Sequence, residues 1–252
     1  MPKPRIAIFD LTDCEGCEVE LLNSRHVPKI LENAEFVHFR LGQINNEFSS
    51  FDIAFIEGSA VTSEEVDYIK QIRDKSSVVC ALGTCACFGG IAALSNHRDI
   101  AEAKRYVYGD MADKFETVKV LPLSAHIKVD FLIRGCPMVR EDFENFLSDI
   151  LAGRKPREHA KPVCIDCKTR ENTCLLLNNV TCAGPVTYGG CGAPCPSAKM
   201  PCDGCRGPLA LPEMSTELGL LRKMAGDDDI VRLFRKYAVT APFFSDIGGG
   251  DK

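Results

Sequence analysis

Ile6-Ala7-Ile8-Phe9-Asp10-Leu11-Thr12-Asp13-Cys14-Glu15-Gly16-Cys17 decides how this chain is read. Ile6 to Leu11 is a short apolar run of strand character, and the turn after it delivers a Cys-x2-Cys pair. Similar runs follow at Phe36 to Leu41, Asp52 to Ile56, Val78 to Leu82 and Val129 to Ile133. Between them lie segments of helical period. Thr62 and Glu65 suit a capping box opening a helix through Ile69 and Ile72. Phe143, Phe146, Leu147, Ile150 and Leu151 repeat at helical spacing until Gly153 stops them. Strand alternating with helix predicts a doubly wound, flavodoxin-like α/β domain whose parallel sheet is covered on both faces.

Two more cysteines follow strand ends. Cys85 lies in Gly83-Thr84-Cys85-Ala86 after the fourth run, and Cys136 in Gly135-Cys136-Pro137 after the fifth. Open α/β sheets collect ligands outside the carboxyl ends of their strands, so Cys14, Cys17, Cys85 and Cys136 are expected to converge there. Four thiolates at one site suit a 4Fe-4S cluster, with Gly16, Gly83 and Gly135 letting the backbone approach and donate N–H groups. Taken alone, Cys14 and Cys17 suit a redox dithiol or half a zinc site as well. Cys80, inside the fourth run, and Cys87 read as small buried hydrophobes.

The composition changes after Lys155. Of fourteen cysteines in 252 residues, eight fall between Pro162 and Pro208 among Gly, Pro, Asn and Thr. Such a stretch cannot bury enough hydrocarbon to fold by itself, so metal is expected to nucleate it. The expected division is residues 1–155, the flavodoxin-like domain, and 156–252, a small cysteine-rich domain. Chain order splits the eight into Cys164, Cys167, Cys174 and Cys182, spaced Cys-x2-Cys-x6-Cys-x7-Cys, and Cys191, Cys195, Cys202 and Cys205, spaced Cys-x3-Cys-x6-Cys-x2-Cys. Each set could close one 4Fe-4S cluster, although ligands can cross between neighbouring clusters. Zinc ribbons use such pairs too. Two short helices, Thr216 to Met224 and Asp228 to Tyr237, are expected to pack over this part, and Gly248 to Lys252 reads as a loose tail.

At 45% hydrophobic and 26% charged the chain has ordinary globular composition. A net charge of -5 and the absence of a basic patch argue against nucleic acid. The first residues run straight into a strand with no export leader, and no apolar run is long enough to cross a bilayer, so a cytoplasmic location is expected. There thiols stay reduced, which favours metal over disulfides. His26, His38, His97, His126 and His159 stand at no ligand spacing to one another and receive no role. Gly248 to Gly250 lacks the strand-to-helix setting of a phosphate loop.

The chain resembles the small, electron-transferring subunit of nickel-iron hydrogenases over nearly its full length. The resemblance rests on Leu11-Thr12-Asp13-Cys14-Glu15-Gly16-Cys17, Ile56-Glu57-Gly58, Gly83-Thr84-Cys85-Ala86, Gly135-Cys136-Pro137, Gly184-Pro185-Val186-Thr187-Tyr188 leading to Cys191, and Pro201-Cys202-Asp203-Gly204-Cys205. Pro162-Val163-Cys164-Ile165-Asp166-Cys167 is most similar to the cytoplasmic members, such as the sulfhydrogenase delta subunit and the small subunit of viologen-reducing enzymes. The resemblance implies three 4Fe-4S clusters: proximal on Cys14, Cys17, Cys85 and Cys136, medial on Cys191, Cys195, Cys202 and Cys205, and distal on Cys164, Cys167, Cys174 and Cys182. Cys164 stands where membrane-associated members use histidine, and Cys195 where they have a proline beside a three-iron cluster. It further implies a large subunit holding the nickel-iron centre, and a downstream flavin, ferredoxin-like or heterodisulfide-reductase subunit. Glu18 and Glu57 are expected beside the proximal site, supporting it or passing protons. The competing readings are a complex-I-like or membrane-bound hydrogenase small subunit, which shares the first domain, and a zinc-stabilised interaction protein.

Overall fold

The computed structural model describes residues 3–158 and 161–248. His159 and the tail beyond Gly248 therefore lie outside the described residues. Strands β1 (Arg5–Asp10), β2 (Glu35–Phe39), β3 (Phe51–Glu57), β4 (Ser76–Leu82) and β5 (Phe131–Ile133) form one sheet in the order β2-β1-β3-β4-β5. Every neighbouring pair is parallel. This is the flavodoxin-like order, with its switch point between β1 and β3. The first part also holds helices α1 (Gly16–Leu22), α2 (Val27–Asn33), α3 (Ser63–Asp74), α4 (Gly83–Phe88), α5 (Ile100–Tyr108) and α6 (Arg140–Leu151). The second holds α7 (Val163–Thr169), α8 (Pro194–Ser197), α9 (Met214–Leu221) and α10 (Asp227–Ala238).

Side chains alternate across a strand, and that sorts the core into two layers. Ile6, Ile8, Ile53, Phe55, Cys80 and Leu82 face α1 and α6, where Leu21, Phe143 and Leu147 meet them. Ala7, Phe9, Ala54, Ile56, Val79 and Ala81 face the other way, onto Ile69 and Ile72 of α3. Phe55 and Phe143 lie with ring centroids 4.8 Å apart, and burying such a ring contributes about 2 kcal/mol. The capping box forms: Thr62 Oγ1 accepts from the Glu65 N–H at 3.2 Å, and the Glu65 carboxylate accepts from the Thr62 N–H at 3.0 Å.

The last two helices pack over the cysteine-rich part as expected and reach beyond it. Ile230, Phe234 and Ala238 of α10 and Leu221 of α9 share one core with Ala183 and Val186 of the cysteine-rich stretch and with the sheet's second layer. Helix α10 packs against α4, Lys236 pairs with Asp203 at 2.6 Å, and Tyr237 lines the cavity of Cys191, Cys195, Cys202 and Cys205. The two parts of the chain thus share a core. Among the described residues no helix is long and apolar enough to cross a membrane.

Candidate metal centres

Asp10, Glu57 and Leu82 stand in register at the carboxyl ends of β1, β3 and β4. The loops beyond them bring Cys14, Cys17, Cys85 and Cys136 to one edge of the sheet. Cys17 is buried, Cys14 exposed, and the other two half-buried. Gly83 has φ +78°, and a Cβ there would collide with Cys17 Sγ, so only glycine lets this turn pass the thiol. Gly16 abuts Cys14 Sγ, which an added Cβ would approach to 3.3 Å. Gly135 differs from expectation: an added Cβ would strike the Pro137 carbonyl oxygen at 2.6 Å, so its freedom serves the turn itself. The Met138 N–H donates to Cys17 Sγ at 3.4 Å.

Burial pushes Cys17, Cys85 and Cys136 up. Cys85 reaches about 12 through burial and then the neighbouring Cys136 and Cys14, and burial followed by the Glu57 charge raises Cys17 as well. A reactive thiolate needs the opposite shift, so Cys17 is not built as a free nucleophile. A metal that replaces the protons relieves the crowding of thiolates.

Glu57, 2% exposed, accepts from the N–H groups of Cys17 at 3.1 Å and Glu18 at 2.9 Å. It ties the first turn of α1 to the end of β3 and so positions Cys17. Burial lifts its carboxyl to about 6 against those two donors. Glu18, also buried, has no hydrogen-bond partner on either carboxylate oxygen among the described residues. Burial, then Asp10 and Glu57, push it up to about 8.

The other eight cysteines line two cavities. Cys164, Cys167, Cys174 and Cys182 surround a hollow of about 30 Å³ together with Gly184. Cys191, Cys195, Cys202 and Cys205 surround one of about 290 Å³, and Cys136 forms part of its wall. Helix α7 sets Cys164 and Cys167 on one side, since residues three apart share a helix face. Asp166 accepts from the N–H groups of Gly190 at 2.7 Å and Gly192 at 3.1 Å, pinning the loop that carries Cys191. The Asn172 amide lies 3.7 Å from Cys167 Sγ.

The three groups stand in a row. Cys136 lines the same cavity as Cys205, and the Cys202 N–H donates to Cys182 Sγ at 3.3 Å. Thr84 clasps the first junction: its hydroxyl donates to the Cys205 carbonyl and accepts from the Gly135 N–H. Among the described residues no group of three or more His, Cys, Asp or Glu side chains closes on a single metal ion. Cys80 and Cys87 lie in the apolar core. The Cys87 thiol points to the carbonyls of Ala81 and Ile133 at 3.7 and 3.9 Å, and burial lifts it to about 12. Thr84, Asp166, Asn172 and Arg206 were not singled out from the sequence. Their one signal there is adjacency to cysteines, which says nothing about which polar side chains the fold buries.

Residues 14–150 match the model of the family described as NADH ubiquinone oxidoreductase, 20 Kd subunit. Sulfhydrogenase 2 subunit delta of Pyrococcus furiosus is 34% identical over 93% of this chain and 99% of its own length. A subunit of the vhu F420-non-reducing hydrogenase of Methanococcus voltae is 31% identical over 96% of this chain and 98% of its own. Among solved structures, a chain of an NAD+-reducing [NiFe]-hydrogenase aligns with a TM-score of 0.58 at 26% identity, covering 62% of this chain and 95% of that one. An actinobacterial-type NiFe-hydrogenase chain from Ralstonia eutropha shares the fold, with a TM-score of 0.62 at 15% identity over 93% of this chain and 89% of its own. Matching strand-end cysteines, a parallel sheet in flavodoxin-like order and full-length likeness to hydrogenase subunits lead to one assignment: the chain belongs to the 20 kDa NADH ubiquinone oxidoreductase subunit family and, within it, to the small subunits of nickel-iron hydrogenases.

Proposed function

We propose that this chain relays electrons from hydrogen oxidation in a large subunit to an acceptor subunit through three 4Fe-4S clusters. Cys14, Cys17, Cys85 and Cys136 hold the first, Cys191, Cys195, Cys202 and Cys205 the middle one, and Cys164, Cys167, Cys174 and Cys182 the last. The observation that carries this reading is the adjacency of the three thiol groups: Cys136 shares a cavity wall with Cys205, and the Cys202 N–H donates to Cys182 Sγ. When bound, each cluster accepts and gives up one electron at a time. The chain's own residues supply the order and the spacing. They also supply a dry setting, because Cys17, Cys182 and Cys202 are buried.

The large subunit covers the sheet edge around Cys14. That thiol is exposed, and Val19 and Leu22 on α1 beside it are 45% and 44% exposed, the apolar rim a partner would bury. A flavin, ferredoxin-like or heterodisulfide-reductase subunit receives the electrons at the Cys174 end, and the complex works in the cytoplasm. Zinc is disfavoured because its tetrahedron draws sulfurs to about 2.3 Å from one point, whereas these thiols wall hollows.

Anaerobic purification with metal analysis tests the reading. About twelve irons per chain are expected, four for each cluster. Zinc with little iron would overturn it. The chain without its large subunit should bind no nickel, and stoichiometric nickel would also contradict the reading.

A further inference from the structure

Arg206 follows the last cysteine of the chain. It is 2% exposed and heads the fully buried side chains by size among the described residues. Its guanidinium carries five N–H donors and a permanent charge. One terminal nitrogen pairs with Asp142 of α6 at 2.6 Å, and the other donates to the Arg134 carbonyl at 3.0 Å. The Tyr188 ring lies 5.5 Å from its guanidinium carbon and 4.3 Å from that of Arg134. Nε is buried and has no hydrogen-bond partner among the described residues.

An unspent buried donor on a charged group costs more than a neutral one, so an acceptor is called for. Arg206 lines the same cavity as Cys191, Cys195, Cys202 and Cys205. Beside its cysteine sulfurs the cavity holds the oxygens of Thr187, Asp203 and Tyr237. Of these, Thr187 is bonded to the Ala183 carbonyl and Asp203 to Lys236, so the sulfurs are its largest set of acceptors.

We infer that Arg206 sets the reduction potential of the middle cluster, donating its Nε–H to a sulfur in this cavity and stabilising the extra electron with its charge. The inference rests on the cluster assignment proposed above. Asp142 and the Arg134 carbonyl act as positioning groups that hold the two terminal nitrogens and leave Nε for the cavity. A hydrogen bond and a positive charge both favour the reduced form, so the middle site is held more oxidising than its cysteines alone would make it. Transfer from the first site into the middle one is then favoured.

The test uses the anaerobic complex with its large subunit, titrated potentiometrically and followed by EPR. Arg206→Gln should move the middle midpoint to more negative potential and leave the other two nearly in place, while Arg206→Lys, which keeps the charge, should restore most of the shift. In complex labelled with guanidinium-15N arginine, pulsed EPR of the reduced middle cluster should show a weak 15N coupling that Arg206→Lys lacks. An unmoved midpoint in iron-replete Arg206→Gln would overturn the inference, as would absence of the coupling in the labelled parent complex. Loss of about four irons from both variants would overturn it too, showing the ion pair to be only a strut. Iron content of the parent complex reports separately on the cluster assignment.

Discussion

The backbone N–H of Cys202 points at Cys182 Sγ across 3.3 Å, so two cysteines twenty positions apart in sequence join two different thiol-lined cavities. On its other side that cavity takes in Cys136, which lines it together with Cys205. A linear conductor needs each station to meet the next, and these two contacts give the middle group one neighbour on either side.

Cys182→Ser should separate wiring from chemistry. Hydrogen-deuterium exchange by the large subunit should survive, while reduction of the physiological acceptor by hydrogen falls at least tenfold. Cys17→Ser should instead disturb assembly with the large subunit and depress every electron-transfer assay, since no route bypasses the first group. Undiminished acceptor reduction in an iron-replete Cys182→Ser complex would remove Cys182 from the last site.

Cys80→Ala and Cys87→Ala should leave the iron count unchanged, because both thiols lie in the apolar core away from the cavities. Each should lower stability by about 1 kcal/mol through a small void, read from denaturant midpoints. A loss of about four irons from either would redraw the first site.

Thr84→Val keeps the shape of a side chain that links three loops and removes its hydroxyl. The Cys205 carbonyl and the Gly135 N–H each lose a buried partner, at a cost of about 2 kcal/mol. Iron should leave the first and middle sites faster under a chelator, with the last site holding. Equal release rates from all three would mean that Thr84 does not clasp this junction.

Glu217 is buried in α9 at 3% exposure, and burial alone lifts its carboxyl to about 7. Between its ordinary value of 4.5 and that point the folded chain keeps a proton the unfolded chain has released. Stability therefore falls as pH rises through this window and levels off above it. Glu217→Gln should match the parent near pH 4.5 and exceed it above pH 7 by on the order of 2 kcal/mol. Urea midpoints measured across pH would show this, and a pH-independent difference would assign the effect elsewhere.

Local rules made much of this protein legible from its residues. The five apolar runs are the five strands, displaced by one to two residues at most ends, because short apolar runs bounded by turns are written in neighbouring positions. Thr62 and Glu65 close their capping box for the same reason. Cysteines after strand ends meet at one edge because a parallel sheet aligns its carboxyl ends, and that too follows from topology alone. Other features depend on packing between distant segments. The stripe Ile230, Phe234, Ala238 marks a helix with an apolar face, yet its packing on α4 and against Ala183 and Val186 was decided by tertiary contacts. The order of the thiol groups along the row, the hydroxyl of Thr84 between two loops and the burial of Arg206 against Asp142 arise only when chain segments 64 to 121 residues apart are brought together. Spacing along the chain specifies which residues share a face, whereas contact between faces is set by tertiary packing, because it depends on segments that only the folded chain brings together.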